Sequence, residues 1–163
     1  MLQRWIERGR RGRDDRAIGE LQDWLTSVRA IMEICDAALR LKDPRTDIGV
    51  ALDRVDRELF RFRGHAAGAS GSLRRRSPRV RSRLEEASHL TYRLRNDTCA
   101  YLLRWQTYQQ QRDASSAVAL SAQRQMEDAR LQASRTARQL TQEIEAVAPE
   151  LESLIRQWRS IDV

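Results

Sequence analysis

Arginines gathered in two short segments are the residues of this sequence whose types and spacing could do chemistry. Residues 61–83 contain eight arginines and no acid, and residues 1–16 contain six arginines against three acids. The rest of the chain is close to neutral, although the whole carries +7. Pooled charge of one sign makes a directional surface for anions. The pattern therefore predicts binding of a polyanion, which could be nucleic-acid phosphate, anionic lipid or an acidic partner surface.

The arginines after Ser77 break a local rule of helix electrostatics. Arg79, Arg81 and Arg83 fall in the first turns of a predicted helix, where the helix dipole disfavours each cation by roughly 0.3 to 1 kcal/mol. Nothing acidic within the segment offsets this cost. The structural explanation is a solvated linker with its arginines in water. We prefer a functional one, because a local rule broken without local compensation often marks a functional site.

Topology would bring both basic segments to one end of the molecule. If the first two helices run out and back, residue 63 returns to the N-terminal arginines, and the chain starts again from Ser77. Aromatic residues are sparse there, so binding should follow the backbone of nucleic acid, our first choice of partner, and be salt-sensitive. The predicted polyanion-binding residues are Arg10, Arg11, Arg13, Arg63, Arg74, Arg75, Arg76, Arg79, Arg81 and Arg83.

Other kinds of chemical site find little support in the sequence. The glycines fit no nucleotide-binding pattern and follow no strand. The two histidines and two cysteines, His65, His89, Cys35 and Cys99, are dispersed without paired ligand spacing. We therefore predict no catalytic residue, no metal and no cofactor, and we expect both cysteines to be free thiols.

One short motif supports a remote enzymatic alternative. Arg83 and His89 are separated by five residues, and Arg95-Asn96 is followed by Tyr101. This spacing resembles the R-x4-6-H ribonuclease motif of HEPN domains, which are also helical bundles. Leu84 stands where that family usually has a polar residue, and Arg95-Asn96 lacks the following His. The resemblance covers only these residues and implies a HEPN-like ribonuclease as a third hypothesis.

The elements that must position these residues are helices. After its opening proline, the stretch from Pro78 to Val147 contains neither Gly nor Pro, and its apolar residues recur at spacings of three and four. We predict an all-α fold, an antiparallel four-helix bundle of helical hairpins with coiled-coil-like packing, in which the chain turns near Asp113 to Ser116. The alternative is one very long helix from about 78 to 147 that pairs with another subunit.

Four segments make up one predicted domain. Residues 1–13 form a basic amphipathic element that Gly9 and Gly12 interrupt, and Asp14 or Asp15 caps the next helix. Residues 14–63 form a helical hairpin, with Thr46 or Asp47 as the second cap. Residues 64–77 are a Gly/Ser/Arg-rich linker, and residues 78–163 are a long helical region in which the proline at position 149 breaks or kinks the helix.

A seam of small residues predicts self-association, most simply as a twofold dimer. Its members are Ala119, Ala122, Met126, Ala129 and Ala133. The seam also supports the runner-up function, a coiled-coil adaptor or scaffold that acts through protein contacts, in one version with the segment around Trp5 touching an anionic membrane surface. No apolar stretch is long enough to span a bilayer, and no secretory signal is evident, so the predicted location is the cytoplasm.

Overall fold

Four α-helices make up the computed structural model of this protein. They are α1 (Leu2–Leu39), α2 (Ile48–Leu73), α3 (Pro78–Gln111) and α4 (Ser116–Ser160). The structure describes residues 2–160, without the side chains of residues 2–8, 10 and 11, while residues 1 and 161–163 lie outside it. No strand occurs in the described range. The prediction of an all-α fold is confirmed.

Helices α1 and α2 form the first antiparallel pair. α1 buries an apolar stripe that includes Leu21, Trp24, Val28 and Ile31. α2 starts where Asp47 caps it, because the carboxylate accepts a hydrogen bond from the backbone N–H of Gly49 at 2.8 Å. This confirms the predicted cap.

Helices α3 and α4 form the second pair, joined by residues 112–115. The predicted turn is confirmed and the single long helix is wrong. The residues that join the helices are polar or small and all exposed, so the chain loses no buried apolar contact where it leaves the helix. After the turn, α4 packs back on α3, where Thr136 Oγ1 donates to the Asp97 carboxylate at 2.6 Å.

The four helices are neighbours in the order of the chain. α1 contacts α2, α3 and α4, and α3 contacts α2 and α4, whereas α2 and α4 do not touch within residues 2–160. The diagonal between α1 and α3 is closed by the buried Trp24 indole, whose Nε1 donates to Ser88 Oγ at 3.0 Å. These contacts agree with the predicted antiparallel four-helix bundle.

Three predicted interruptions are wrong. Helix α2 runs through Gly64 to Leu73, so the linker shrinks to residues 74–77. Helix α1 passes through Gly9 and Gly12, so neither Asp14 nor Asp15 is an N-cap. Of the two outcomes predicted for the proline at position 149, the break is wrong, because α4 continues through Pro149 to Ser160. In α2 and α4 the apolar stripe continues past the supposed break, and burial of that stripe outweighs a cost of about 1 kcal/mol per glycine or about 3 kcal/mol for proline. At the start of α1, the side chain of Arg13 donates to the carbonyl of Gly9 one turn earlier, a contact that spans Gly12 within the helix.

Within the described range, no helix has the length and apolar character needed to cross a membrane.

Candidate polyanion-binding surface

One end of the molecule collects most of the predicted arginines. We call it the basic pole and define it as the connection and first helical residues at 74–83, together with residues 13–20 of α1 and 150–160 of α4. Arg76 forms an ion pair with Asp14 of α1, and its guanidinium carbon lies 4.6 Å from the centroid of a Trp158 ring of α4. The connection between α2 and α3 is thereby held against both other helices.

The paired arginines of the basic pole are neutralised by acids from elsewhere in the fold. Arg76 pairs with Asp14, and Arg83 pairs with Glu150 of α4. Arg81 pairs with Glu85, one turn further along α3, at 2.9 Å. The segment holds no acid of its own, but acids outside it neutralise these three arginines.

Glu85 belongs to a small polar cluster that ties α2 to α3. Ser70 Oγ of α2 donates to its carboxylate at 2.7 Å, and Arg81 Nε donates both to that carboxylate and to Ser70 Oγ. The Ser70 hydrogen bond, followed by the charge of Arg81, lowers the pKa of Glu85 below its ordinary value. Glu85 is thus held as an anion, and Arg81 is a structural cation rather than a free one.

The unpaired arginines form the part of the basic pole that can receive an anion. Arg74, Arg75 and Arg79 are exposed, and none makes an ion pair with any described residue. Arg74 and Arg75 directly follow the C-terminal end of α2, where the helix dipole favours cations. The helix dipole of α2 therefore stabilises Arg74 and Arg75 at this position. The unfavourable dipole effect predicted from the sequence applies only to arginines at the start of α3.

Arg13 and two arginines of α4 extend this set. Arg13 is exposed, and its Nε donates to the Gly9 carbonyl at 2.9 Å. Arg156 and Arg159 are exposed near the end of α4, without an ion pair to any described residue. Sequence reasoning missed these two residues. The signal that could have found them is topology, since the last turns of a fourth antiparallel helix return to the end where α1 begins.

Arg63 does not belong to the basic pole. Helix α2 continues for ten residues after it, so Arg63 lies about 15 Å before the end of α2. The prediction that residue 63 returns to the arginines of α1 assumed that α2 ended there and is wrong for that reason. The side chains of Arg10 and Arg11 lie outside the described part of the structure.

The residues of the ribonuclease motif do not converge. Arg83 and His89 are six residues apart on α3, which places them about 120° apart around the helix axis. Arg83 is engaged by Glu150, whereas His89 is exposed beside Glu85, whose pKa its charge helps to lower. Tyr101 is buried in the core. The residues of this motif therefore do not meet at one site in the structure.

The predicted self-association seam is covered within the chain. Ala122, Met126 and Ala133 are buried, and Ala129 packs against the cluster that contains Met126 and Trp105 of α3. Ala119 is half-buried one turn before Ala122. The seam faces α3 because the chain turns at residues 112–115, so it is not available to a second copy in this structure.

Comparison of the chain with protein-family models, with curated proteins and with solved structures finds no match.

Proposed function

We propose that this protein is a non-enzymatic helical interaction protein whose basic pole binds a polyanion, with the phosphate backbone of nucleic acid as the first choice. The observation that carries this proposal is that Arg74, Arg75 and Arg79 are exposed, unpaired within the described structure, and confined to six consecutive residues. Binding of this kind needs no reactive group.

The ion pairs around these arginines support the proposal by giving the connection a fixed position. Arg76 attaches the connection to α1, Arg83 attaches the first turns of α3 to α4, and the Ser70, Arg81 and Glu85 cluster attaches α3 to α2. Cations on a positioned segment lose less conformational entropy on binding than cations on a free linker. Phosphate contacts from such a segment position a nucleic acid without reading its sequence.

A matched pair of triple variants tests the proposal. The first changes Arg74, Arg75 and Arg79 to Gln. The control changes Arg45, Arg54 and Arg124 to Gln, since these three are also exposed, make no ion pair with a described residue and lie away from the basic pole. Both variants lose the same net charge, so only the location differs.

The measurement is fluorescence anisotropy of a labelled DNA duplex at about 0.1 M salt, where charges more than about 10 Å away are largely screened. We expect the variant of the basic pole to bind at least about tenfold more weakly than wild type. Each lost phosphate contact reduces the number of counterions that the DNA releases on binding. The control should stay within about twofold of wild type. Equal weakening of both variants would show that net charge, not the basic pole, attracts the DNA. No binding by wild type would overturn the proposal.

The second candidate function is a protein–protein adaptor, and one observation favours it. Ala38 near the end of α1 packs at the level of Tyr101 and Trp105, whereas α3 continues to Gln111, so the tip of the α3–α4 hairpin extends past the first hairpin. Val118 and Leu120 are exposed on that tip. Exposed apolar residues there would suit a protein partner or a second copy. Light scattering of wild type and Leu120→Glu tests self-association, which is absent if both are monomers.

A further inference from the structure

Phe60 is the most exposed large apolar side chain of the described structure, at 79%. It lies on α2, on the side away from the core. Phe62, two residues on, is fully buried and meets the ring of Tyr92 edge-on at 5.4 Å between centroids. Since α2 contacts α1 and α3 but not α4 within the described residues, no helix covers the face that carries Phe60. Folding therefore leaves most of an aromatic side chain in water.

The face of Phe60 leads directly to the basic pole. Gly64, Ala67 and Gly71 follow Phe60 at spacings of four, three and four, so they lie on the same stripe of α2. Gly64, Ala67 and Gly71 are all exposed, and their small size leaves the stripe unobstructed. Arg74 continues the stripe beyond the end of the helix. Phe60 and Arg74 are 14 residues apart, which corresponds to about 21 Å along a helix.

The free charge along this face is positive. Residues 59–84 contain no acid, and Arg63 is exposed without an ion pair to any described residue. The acids that precede Phe60 on the outer side of α2 are already engaged: Asp53 pairs with Arg57, and Asp56 pairs with Arg95 of α3. An anionic chain on this stripe would meet unpaired cations from Arg63 to Arg74, Arg75 and Arg79, with one aromatic ring at its far end.

We propose that the polyanion is single-stranded nucleic acid, which lies along the exposed stripe of α2 with phosphates at the basic pole and one base stacked on Phe60. This inference rests on the proposed function and names its ligand class. An exposed aromatic beside a cationic track is how single strands are held without sequence readout, because every base offers a π-face. Inside a duplex the bases are stacked on one another, so no base face along its length is free to stack on Phe60.

The test compares Phe60→Ala with Phe60→Tyr, using a labelled single strand of about 12 nucleotides and the matching duplex. Phe60→Ala should weaken single-strand binding at least about fivefold, the lower end of what one stacked base contributes. Phe60→Tyr keeps the ring and should bind as wild type does. Val50→Ala removes another exposed apolar side chain of α2, 63% exposed, and should have no effect. Circular dichroism of each variant checks that the helices remain.

The outcomes separate this inference from the proposed function. Phe60→Ala should leave duplex binding and the salt dependence of single-strand binding unchanged, since it removes no charge. If Phe60→Ala binds the single strand as wild type does, while the Arg74, Arg75 and Arg79 variant still loses affinity, the stacking proposal is overturned and the basic pole stands. If Phe60→Ala instead dissociates an oligomer seen by light scattering without changing nucleic-acid affinity, Phe60 serves a protein contact and the proposal is likewise overturned.

Discussion

Individual residues show why the net charge of a segment is a poor guide to the charge that stays unpaired after folding. The arginine-rich stretch contains no acid, yet Asp14 and Glu150 pair with Arg76 and Arg83 across 62 and 67 positions of sequence. A reading by windows of sequence cannot see partners that far away. Glu85, by contrast, stands four residues after Arg81 on the same helix, and this pair was predictable from spacing.

The two thiols give a residue-scale prediction with a pH dependence. Cys35 is 1% exposed, and burial raises its pKa from an ordinary 9.0 to about 11, while the Thr98 hydroxyl lowers it by a smaller amount. A raised pKa in the folded state means that the neutral thiol stabilises the fold fully below about pH 9. That stability is lost as the pH rises toward 11, because only the unfolded chain then ionises easily.

The loss assigned to Cys35 is about 2 to 3 kcal/mol between pH 8 and pH 11, at about 1.4 kcal/mol per unit of pKa. Urea unfolding of wild type and Cys35→Ala at both pH values measures it. The variant should be less stable at pH 8 but lose less stability than wild type on going to pH 11. Identical pH dependence of the two proteins would contradict the assignment. Cys99→Ala tests the second thiol, which is half-buried and whose pKa is also raised by burial, and it should remove a smaller part of the pH dependence.

Helix α2 shows what a sequence reading can predict about an element and where it fails. The sequence-based prediction ends α2 too early, because Gly64, Gly68 and Gly71 are typical of a linker. The apolar stripe nevertheless continues through Phe62, Ala66, Ala69 and Leu73, each buried or packed on the core. Extending the stripe at spacings of three and four would have predicted the helix. The Gly/Pro-free α3 and most of α4 were predictable because no competing signal interrupts them.

The glycines of α2 give an element-scale prediction. A Cβ added at Gly64 or Gly71 meets no atom within 4 Å, so Gly64→Ala and Gly71→Ala should each raise the free energy of unfolding by about 0.5 to 1 kcal/mol. A Cβ at Gly68 would lie 3.1 Å from the side chain of Glu20, which accepts the hydroxyl hydrogen bond of Ser72. Gly68→Ala should therefore leave the free energy of unfolding no higher than that of wild type.

Urea unfolding of the three glycine variants distinguishes a continuous α2 from a linker. If residues 64–71 were a flexible connection, alanine at Gly68 would behave like alanine at its neighbours. A gain at Gly68 as large as the gains at Gly64 and Gly71 would contradict the packing of α2 on α1.

At the scale of the whole molecule, topology decides which surfaces remain open. The turn at residues 112–115 folds the small-residue seam onto α3, so a feature interpreted as an interface between subunits is part of the monomer's own core. The sequence allowed both outcomes, because heptad spacing is the same in a hairpin and in a coiled coil between chains. Self-association stays a prediction, and the exposed apolar residues at the tip of the α3–α4 hairpin are the surface for it.

Ala122 provides the prediction at this scale. It is 6% exposed on the side of α4 that faces α3, so Ala122→Glu buries a charge without a partner. We expect a loss of about 3 kcal/mol, which corresponds to a fall in Tm of about 6 to 12 °C. The neighbouring Gln123 is exposed, and Gln123→Glu makes the same change of charge without this cost. A dissociated oligomer with an unchanged Tm would instead place Ala122 between subunits.

The basic pole is the central claim about function, and the salt dependence of binding tests it most directly. Affinity for a DNA duplex is measured by anisotropy over a series of salt concentrations, for wild type and for the variant with Gln at Arg74, Arg75 and Arg79. For wild type, log affinity should fall linearly with log salt concentration, with a slope of about −0.9 for each phosphate neutralised. The variant should have a slope shallower by about 2 to 3, because three phosphate contacts are lost. A wild-type affinity independent of salt, or equal slopes for the two proteins, would contradict the account.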